Sequence, residues 1–378
     1  MKIVIVAPFV SESNYKLLQT RLHIINPGQK FYMLLYKGLV NNDISTSVFS
    51  IIPEQYKPYI QEDDFVYFYK TKNKFGLTRI TGATEKLSEM VDENTVIIAD
   101  GEAYWTLVVS LKQKCKVINL ITDFPHHVAS YSSSMSSRSC IYRKIYQIYA
   151  KHKLSTFKKA DGFIFLTEQM SEIIGTMKPH IVIEGFTDSE YKDTSVEHNN
   201  SGIRTISYLG ALNDKSGIMM LIEAFRFIHD DSLRLDVYGT GNYVDSIMKC
   251  DDVRIRYKGS ISLDEVEKVE KESDFLINPR PSKDEFNKYS FPSKTLEYML
   301  SGTPVMTTRL AGIPEEYDDF LYYIEDSSAK RMADSIIETI SWDKKDLEMK
   351  GIAAKRFALN SKNNVVQANK ILSFCSSL

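Results

Sequence analysis

The sequence predicts an α/β fold: two doubly wound domains facing across a cleft. Three observations lead there. Short apolar runs alternate with helix-patterned segments along most of the chain. The pattern is interrupted by a polar, turn-rich stretch at 189–202 and then restarts. The 378 residues are enough for two domains rather than one.

The elements follow in order. Residues 2–7 (Lys-Ile-Val-Ile-Val-Ala), bounded by Pro8, have the continuous apolar character of a central parallel strand. A helix pattern follows near 29–41. Further strands fit 45–51, 95–99, 116–121, 162–166 and 180–183, and helices fit 80–91, 103–112, 138–158 and 168–176. After the polar stretch, strands fit 204–209, 233–238, 253–257, 274–278 and 304–308. Helices there fit 216–228, 242–249, 263–271, 293–301 and 328–341, and the tail from about 345 is helical. Strand and helix alternating in this way make an open sheet wound on both faces, so each half is Rossmann-like. The expected domains are 1–190, 203–345 and a terminal helical segment, 346–378. Ligands of such sheets bind outside the carboxyl ends of the strands, which gives one site per domain.

Composition narrows the class. With 43% hydrophobic and 25% charged residues the chain reads as an ordinary soluble globular protein. A net charge of −2 does not indicate a nucleic-acid partner. Cys115, Cys140, Cys250 and Cys375 are scattered and form no CxxC pair, so neither zinc nor a disulfide framework is indicated. A reducing cytoplasm is the expected location. The first residues form a short strand rather than a signal peptide, and no apolar run of about 20 residues exists.

The segment 278–306 carries the most chemistry. It places a strand end, a polar loop and a helix start together, with Arg280, Lys288 and Lys294 in the loop. A helix start presents unpaired N–H groups and the positive end of the helix dipole, where phosphate can sit. Glu297, about one turn into the helix, can accept hydrogen bonds from hydroxyls. Diphosphate plus ribose fits this pattern. An ordinary helix start capped by Ser293 fits it as well.

Other loops stand at expected carboxyl edges. Gly239-Thr-Gly241 follows a strand but lacks the third glycine and the distal acid of a dinucleotide site, so it reads as a turn near a nucleotide. Gly210 and Lys215 lie in a glycine-flanked loop, where Lys215 reaches phosphate or is simply solvated. Asp123 and His126 follow the 116–121 strand. Asp123 would face the cleft or cap a turn before Pro125. The adjacent His126 and His127 do not make a metal pair, and no nucleophile elbow is present. The 138–160 segment places Ile141, Ile145, Ile148 and Tyr149 on one helical face, amid Arg138, Arg143, Lys144, Lys151, Lys153, Lys158 and Lys159. Both an anionic membrane surface and plain solvent suit that helix.

These residues together resemble a known family. Ser290-Phe-Pro-Ser-Lys-Thr-Leu-Glu-Tyr-Met-Leu-Ser-Gly-Thr-Pro-Val305 resembles the nucleotide-sugar motif of glycosyltransferase family 4, especially a bacterial exopolysaccharide and capsule branch. Tyr208-Leu-Gly-Ala-Leu, Ala311-Gly-Ile-Pro-Glu-Glu, Thr122-Asp-Phe-Pro and Ala160-Asp-Gly-Phe-Ile-Phe-Leu-Thr fit the same branch. The resemblance spans nearly the whole chain; it is strong over 205–317 and weaker before 95.

The resemblance implies the glycosyltransferase-B fold, with donor mainly on the C-terminal domain, acceptor mainly on the N-terminal one, and the last helices crossing back. It implies a retaining, metal-independent hexosyltransferase with no cofactor besides its donor, a nucleotide diphosphate sugar expected to be UDP-linked. The expected acceptor is a lipid-linked glycan of surface polysaccharide synthesis, met on the inner face of the plasma membrane. Glu297 would bind the ribose, Ser293, Lys294 and Arg280 the diphosphate. Asp123 or His126 would orient acceptor or transferred sugar. The sequence departs from the family at Tyr289, which occupies the place of the first glutamate of a paired motif. It departs again at Ala211, which replaces an arginine, and at Pro27-Gly28-Gln29-Lys30, which replaces a double-glycine loop and leaves Gly28 and Lys30 as the acceptor-side candidates. Two other readings stay open: a nucleotide-sugar epimerase of similar fold, and a degenerate transferase that serves as a partner-binding subunit.

Overall fold

The structure, a computed structural model, describes residues 1–22, 27–61, 63, 66–69, 80–100, 108–123, 140–175, 177–193 and 202–378. It divides into two compact units, Met1–Phe186 with Asn363–Leu378, and Thr187–Lys362.

The first unit is built on a parallel sheet of six strands: β1 (Lys2–Val6), β2 (Thr46–Val48), β5 (Thr95–Asp100), β6 (Lys116–Ile121), β7 (Gly162–Phe165) and β8 (His180–Val182). Their order is β2-β1-β5-β6-β7-β8. All six residues of β5 are buried, which is why its sequence is a continuous apolar run rather than an alternation. A separate parallel pair joins β3 (Ser50–Pro53) to β4 (Val66–Tyr69). The helices are α1 (Glu12–Leu22), α2 (Pro27–Val40), α3 (Ile80–Glu89), α4 (Cys140–Phe157) and α5 (Met170–Ile174).

The second unit repeats the design with β9 (Arg204–Leu209), β10 (Leu233–Tyr238), β11 (Ile255–Gly259), β12 (Phe275–Asn278), β13 (Val305–Thr308) and β14 (Tyr322–Ile324). The order is β11-β10-β9-β12-β13-β14, parallel throughout. Its helices are α6 (Ile218–Phe225), α7 (Val244–Met248), α8 (Leu263–Glu272), α9 (Ser293–Ser301), α10 (Ala329–Ile340) and α11 (Lys344–Ser361). One face of the sheet packs Ile206, Leu235, Phe275 and Ile277 against α6 and α10. The other packs Leu209 and Leu276 against Leu296, Tyr298 and Met299 of α9. The strand order reverses between β9 and β12, so their carboxyl ends border the crevice where such sheets take ligands.

The terminal helices differ from expectation. Instead of one returning block from 346, α11 belongs to the second unit, and only α12 (Asn364–Ser377) belongs to the first. Two glycines give the reason. A Cβ on Gly351 of α11 would lie 2.1 Å from the carbonyl oxygen of Gly302, so α11 presses its backbone onto the end of α9. A Cβ on Gly38 of α2 would lie 2.2 Å from the carbonyl oxygen of Asn364, and α12 then buries Ala368, Ile371, Leu372 and Cys375 in the first core. Where the chain crosses, the Thr187 N–H donates to the Lys362 carbonyl and the Thr187 hydroxyl to that of Ala358.

Other differences are local. Helix α1 carries only two buried residues, Asn14 and Leu18, so its sequence lacks an apolar stripe. Of the expected helix at 103–112, residues 103–107 lie outside the described residues, Val108 is helical, and a 3-10 turn covers Val109–Gln113. Ser293 is the first residue of α9 rather than its cap: Pro292 takes the cap position, and no side chain bonds the helix start.

Candidate functional site

Four loops gather at the carboxyl edge of the second sheet: 210–217 after β9, 239–243 after β10, 260–262 after β11 and 279–292 after β12. Backbone-to-backbone contacts lock the first two together. The N–H of Gly210 donates to Tyr238 and that of Leu212 to Thr240. A Cβ on Gly239 (φ 129°) would lie 1.8 Å from the Gly210 oxygen, and one on Gly241 (φ 156°) would lie 2.2 Å from that of Leu212. These glycines, donor-site candidates by sequence, let the two loop backbones pack directly against each other. Gly217 (φ 72°) does the same between the first and fourth loops, with Pro279 in contact. Lys215 stands over the Phe286 ring at 5.3 Å, so it braces the fourth loop.

The helix start at the centre of these loops is open. The first N–H groups of α9 have no side-chain cap, and Ser293 is exposed. Ser293 and Glu297, four residues apart, share one helix face; Glu297 is half-buried. Lys294 runs beside Gly210, where an added Cβ would meet its Cε at 3.3 Å, and its ammonium lies 6.0 Å from the Tyr298 ring.

Arg280 completes the group. Burial lowers the pKa of its guanidinium, and the groups acting on its charge are the phenols of Tyr208 and Tyr298, both pushed up by burial and so neutral. Among the described residues neither Arg280 nor Lys294 is held in an ion pair. A desolvated cation left without a carboxylate is costly, and an arriving anion removes that cost.

Sequence reasoning missed the scaffold beneath these cations. The Tyr298 hydroxyl accepts from the Leu209 N–H at 3.0 Å and donates to the Leu209 carbonyl at 3.1 Å. Tyr208 donates to the Ala211 carbonyl at 2.8 Å. Tyr298 falls on the apolar face of α9, so by pattern alone it is a core aromatic. The 309–314 segment is anchored at its end by Glu316, which pairs with the buried ammonium of Lys362.

The remaining candidates are placed less tightly. Tyr289, half-buried, closes the 3-10 turn Glu285–Lys288 through its N–H to the Phe286 carbonyl. In the first unit Gly28 and Lys30 stand in the first turn of α2 rather than in a loop, flanking Gln29. The Gln29 amide brackets the backbone of Val10, accepting from its N–H at 3.0 Å and donating to its carbonyl at 2.6 Å. That contact brings the start of α2 to the carboxyl edge of β1. Asp123 is exposed, two residues beyond β6, and His126 lies outside the described residues. Among the described residues no three His, Cys, Asp or Glu side chains are grouped to hold a metal.

A cavity of about 680 Å³ lies at the opposite edge of the second sheet, between Arg204, Phe275, Trp342 and Lys355. It does not touch the open start of α9. We place the site at the helix start, because two cations that form no ion pair among the described residues converge there with N–H groups that carry no side-chain cap.

Comparison with known proteins identifies the fold. The chain has the fold of glycosyltransferase-B enzymes. Over its full length it superposes on Anabaena Alr3699/HepE solved with UDP and glucose, with TM-score 0.64, 14% identity and complete coverage of both chains. Sucrose-phosphate synthase from Thermosynechococcus elongatus gives TM-score 0.65 at 12% identity, covering 100% of this chain and 98% of that one. The E. coli trehalose-6-phosphate structure bound with UDP-2-fluoro glucose gives 0.67 at 8%, covering 100% and 99%. Within that fold, residues 203–341, which include α9, match the family described as Glycosyl transferases group 1. No curated protein matches the sequence.

Proposed function

We propose that the protein is a retaining, metal-independent glycosyltransferase that moves a hexose-type sugar from a nucleotide diphosphate donor to a lipid-linked glycan acceptor in bacterial surface polysaccharide synthesis. The observation that carries this reading is that Arg280 and Lys294, at the uncapped start of α9, form no ion pair among the described residues. Diphosphate is the leaving group of such a transfer, and it leaves with negative charge. Fixed N–H groups and cations aimed at that charge stabilise it as it develops, the task a divalent ion performs elsewhere. Glu297, on the face of α9 that Ser293 exposes, is the ribose contact, and Tyr289 stands near the sugar end. Asp123 and His126 are assigned to the acceptor or the transferred sugar, with Gly28 and Lys30 on the acceptor side. The neighbours solved with UDP or a UDP sugar favour a UDP-linked donor.

The test is a panel of nucleotide sugars supplied with lipid-linked saccharide acceptors. Release of nucleoside diphosphate and a product of retained configuration support the reading. No turnover, together with no thermal protection by any donor at millimolar concentration, overturns it.

The membrane part of the proposal rests on α4. Ile145 and Ile148 are 61% and 70% exposed, and Lys144 and Lys151 are exposed on the same helix. Apolar side chains standing in solvent among lysines suit the surface of an anionic leaflet. Among the described residues no helix is long and apolar enough to cross a membrane, so the contact proposed is peripheral.

A further inference from the structure

We infer that Asn278 is a further residue of the donor site, its side-chain amide donating to the donor diphosphate; the inference rests on the donor reading above. Asn278 is the last residue of β12, and 4% of its surface is exposed. Alternation along the strand fixes where it points. Phe275 and Ile277 enter the core facing α6 and α10, whereas Leu276 enters the core with Leu296, Tyr298 and Met299 of α9. Asn278 continues the Leu276 face by one step and reaches the carboxyl edge, where α9 begins.

Its Nδ2 is buried and has no hydrogen-bond partner among the described residues. Thr295, in the first turn of α9, is fully buried, and its hydroxyl also lacks a partner. Two residues beyond Asn278 stands Arg280, the cation without a carboxylate. An unmade hydrogen bond at a buried amide destabilises the free protein, and native interiors seldom keep one without a use. Here two such groups and an uncompensated cation occupy one end of one strand–helix unit. All three are relieved by the same ligand chemistry, an anionic oxygen. Asn278 supplies a directional N–H where Arg280 and Lys294 supply charge.

The experiment compares wild type with Asn278→Leu and Asn278→Asp. It measures thermal unfolding of the ligand-free proteins and binding of UDP, UMP and inorganic pyrophosphate by calorimetry. Leucine keeps the approximate volume and removes the unsatisfied amide. Its free protein should melt at or above the wild-type temperature, while UDP and pyrophosphate binding falls roughly 10-fold, the ordinary effect of losing a hydrogen bond to a charged group. UMP binding should fall less, so the UDP-to-UMP preference narrows. Aspartate pairs with Arg280 and repels diphosphate; it should bind UDP more weakly still, with a free protein at least as stable as wild type. If Asn278→Leu does not fold, Asn278→Asp alone decides. Wild-type UDP affinity in a folded variant overturns the inference, as does a melting loss with the UDP-to-UMP ratio unchanged, which marks a purely structural residue. Failure of the wild-type protein to bind any of the three overturns this inference and the donor reading together, so the two failures are distinguishable.

Discussion

The Tyr298 hydroxyl holds both the N–H and the carbonyl of Leu209. This one phenol ties the helix that starts the site, α9, to the strand end from which the 210–217 loop departs. Its burial is complete, and burial pushes its pKa well above the usual tyrosine value, so it stays a neutral donor and acceptor at all working pH values. Tyr298→Phe leaves two buried backbone groups unsatisfied and should cost about 1–3 kcal/mol. Urea unfolding measures it, and the variant should also bind UDP more weakly because the loop beside Lys294 loses its tether. An unchanged midpoint would show that water replaces the phenol.

The loops themselves depend on glycine. At Gly217 an added Cβ falls 1.8 Å from the Pro279 carbonyl oxygen, on a backbone with φ 72°. Backbone cannot yield as the end of a flexible side chain can. Gly217→Ala should therefore destabilise by about 3 kcal/mol or more, read as a lower melting temperature or loss of soluble protein. By contrast, nothing lies within 4 Å of a Cβ on Gly202, so Gly202→Ala bears only the cost of its positive φ and should be milder. Equal effects at the two sites would contradict the packing described.

Acid stability has a specific contributor. Asp252 takes Arg254 Nε at 2.9 Å and Nη2 at 2.6 Å, and hydrogen bonding to that guanidinium holds its carboxyl below the ordinary range. A depressed folded pKa stabilises above the unfolded pKa and is lost as pH falls through the folded one. Asp252→Asn should thus cost about 1 kcal/mol at pH 7 and progressively less below about pH 4. Melting curves of both proteins from pH 7 to pH 3 check this. A difference that grows on acidification would reverse the sign and refute the pairing.

The exposed isoleucines of α4 yield a prediction in two parts. Sedimentation with anionic vesicles should fall when Lys151, Lys153, Lys158 and Lys159 are neutralised, and should fall separately when Ile145 and Ile148 become serine. Binding indifferent to anionic lipid would remove the membrane surface from the proposal.

Much of this architecture was legible because central parallel strands are buried on both faces. Runs such as 2–6 and 95–100 are nearly continuously apolar, with no polar alternation to confuse them with edge strands. Helix α1 and the short strands β3, β4 and β14 were not legible. They are short or weakly apolar, and their neighbours rather than their own pattern define them. Lys294 and Arg280 could be read as cations beside a helix start, but that neither meets a carboxylate among the described residues is a fact of folding. Tyr298 looked like core because it is core, and its hydroxyl became visible only against the Leu209 backbone. Asn278 did carry a signal, a polar residue closing an apolar strand. The division of the two terminal helices between units turns on Gly38 and Gly351, each of which needs a partner distant in sequence to be meaningful.

Arg280 and Lys294, which form no ion pair among the described residues, are proposed to hold the donor diphosphate. Calorimetric binding of UDP to wild type, Arg280→Met and Lys294→Met tests this most directly when each free protein's melting temperature is recorded alongside. Each variant should melt at or above the wild-type temperature, because no ion pair is lost, while UDP affinity falls about 10- to 100-fold. Wild-type UDP affinity in either variant, or a large drop in melting temperature with affinity retained, would contradict it.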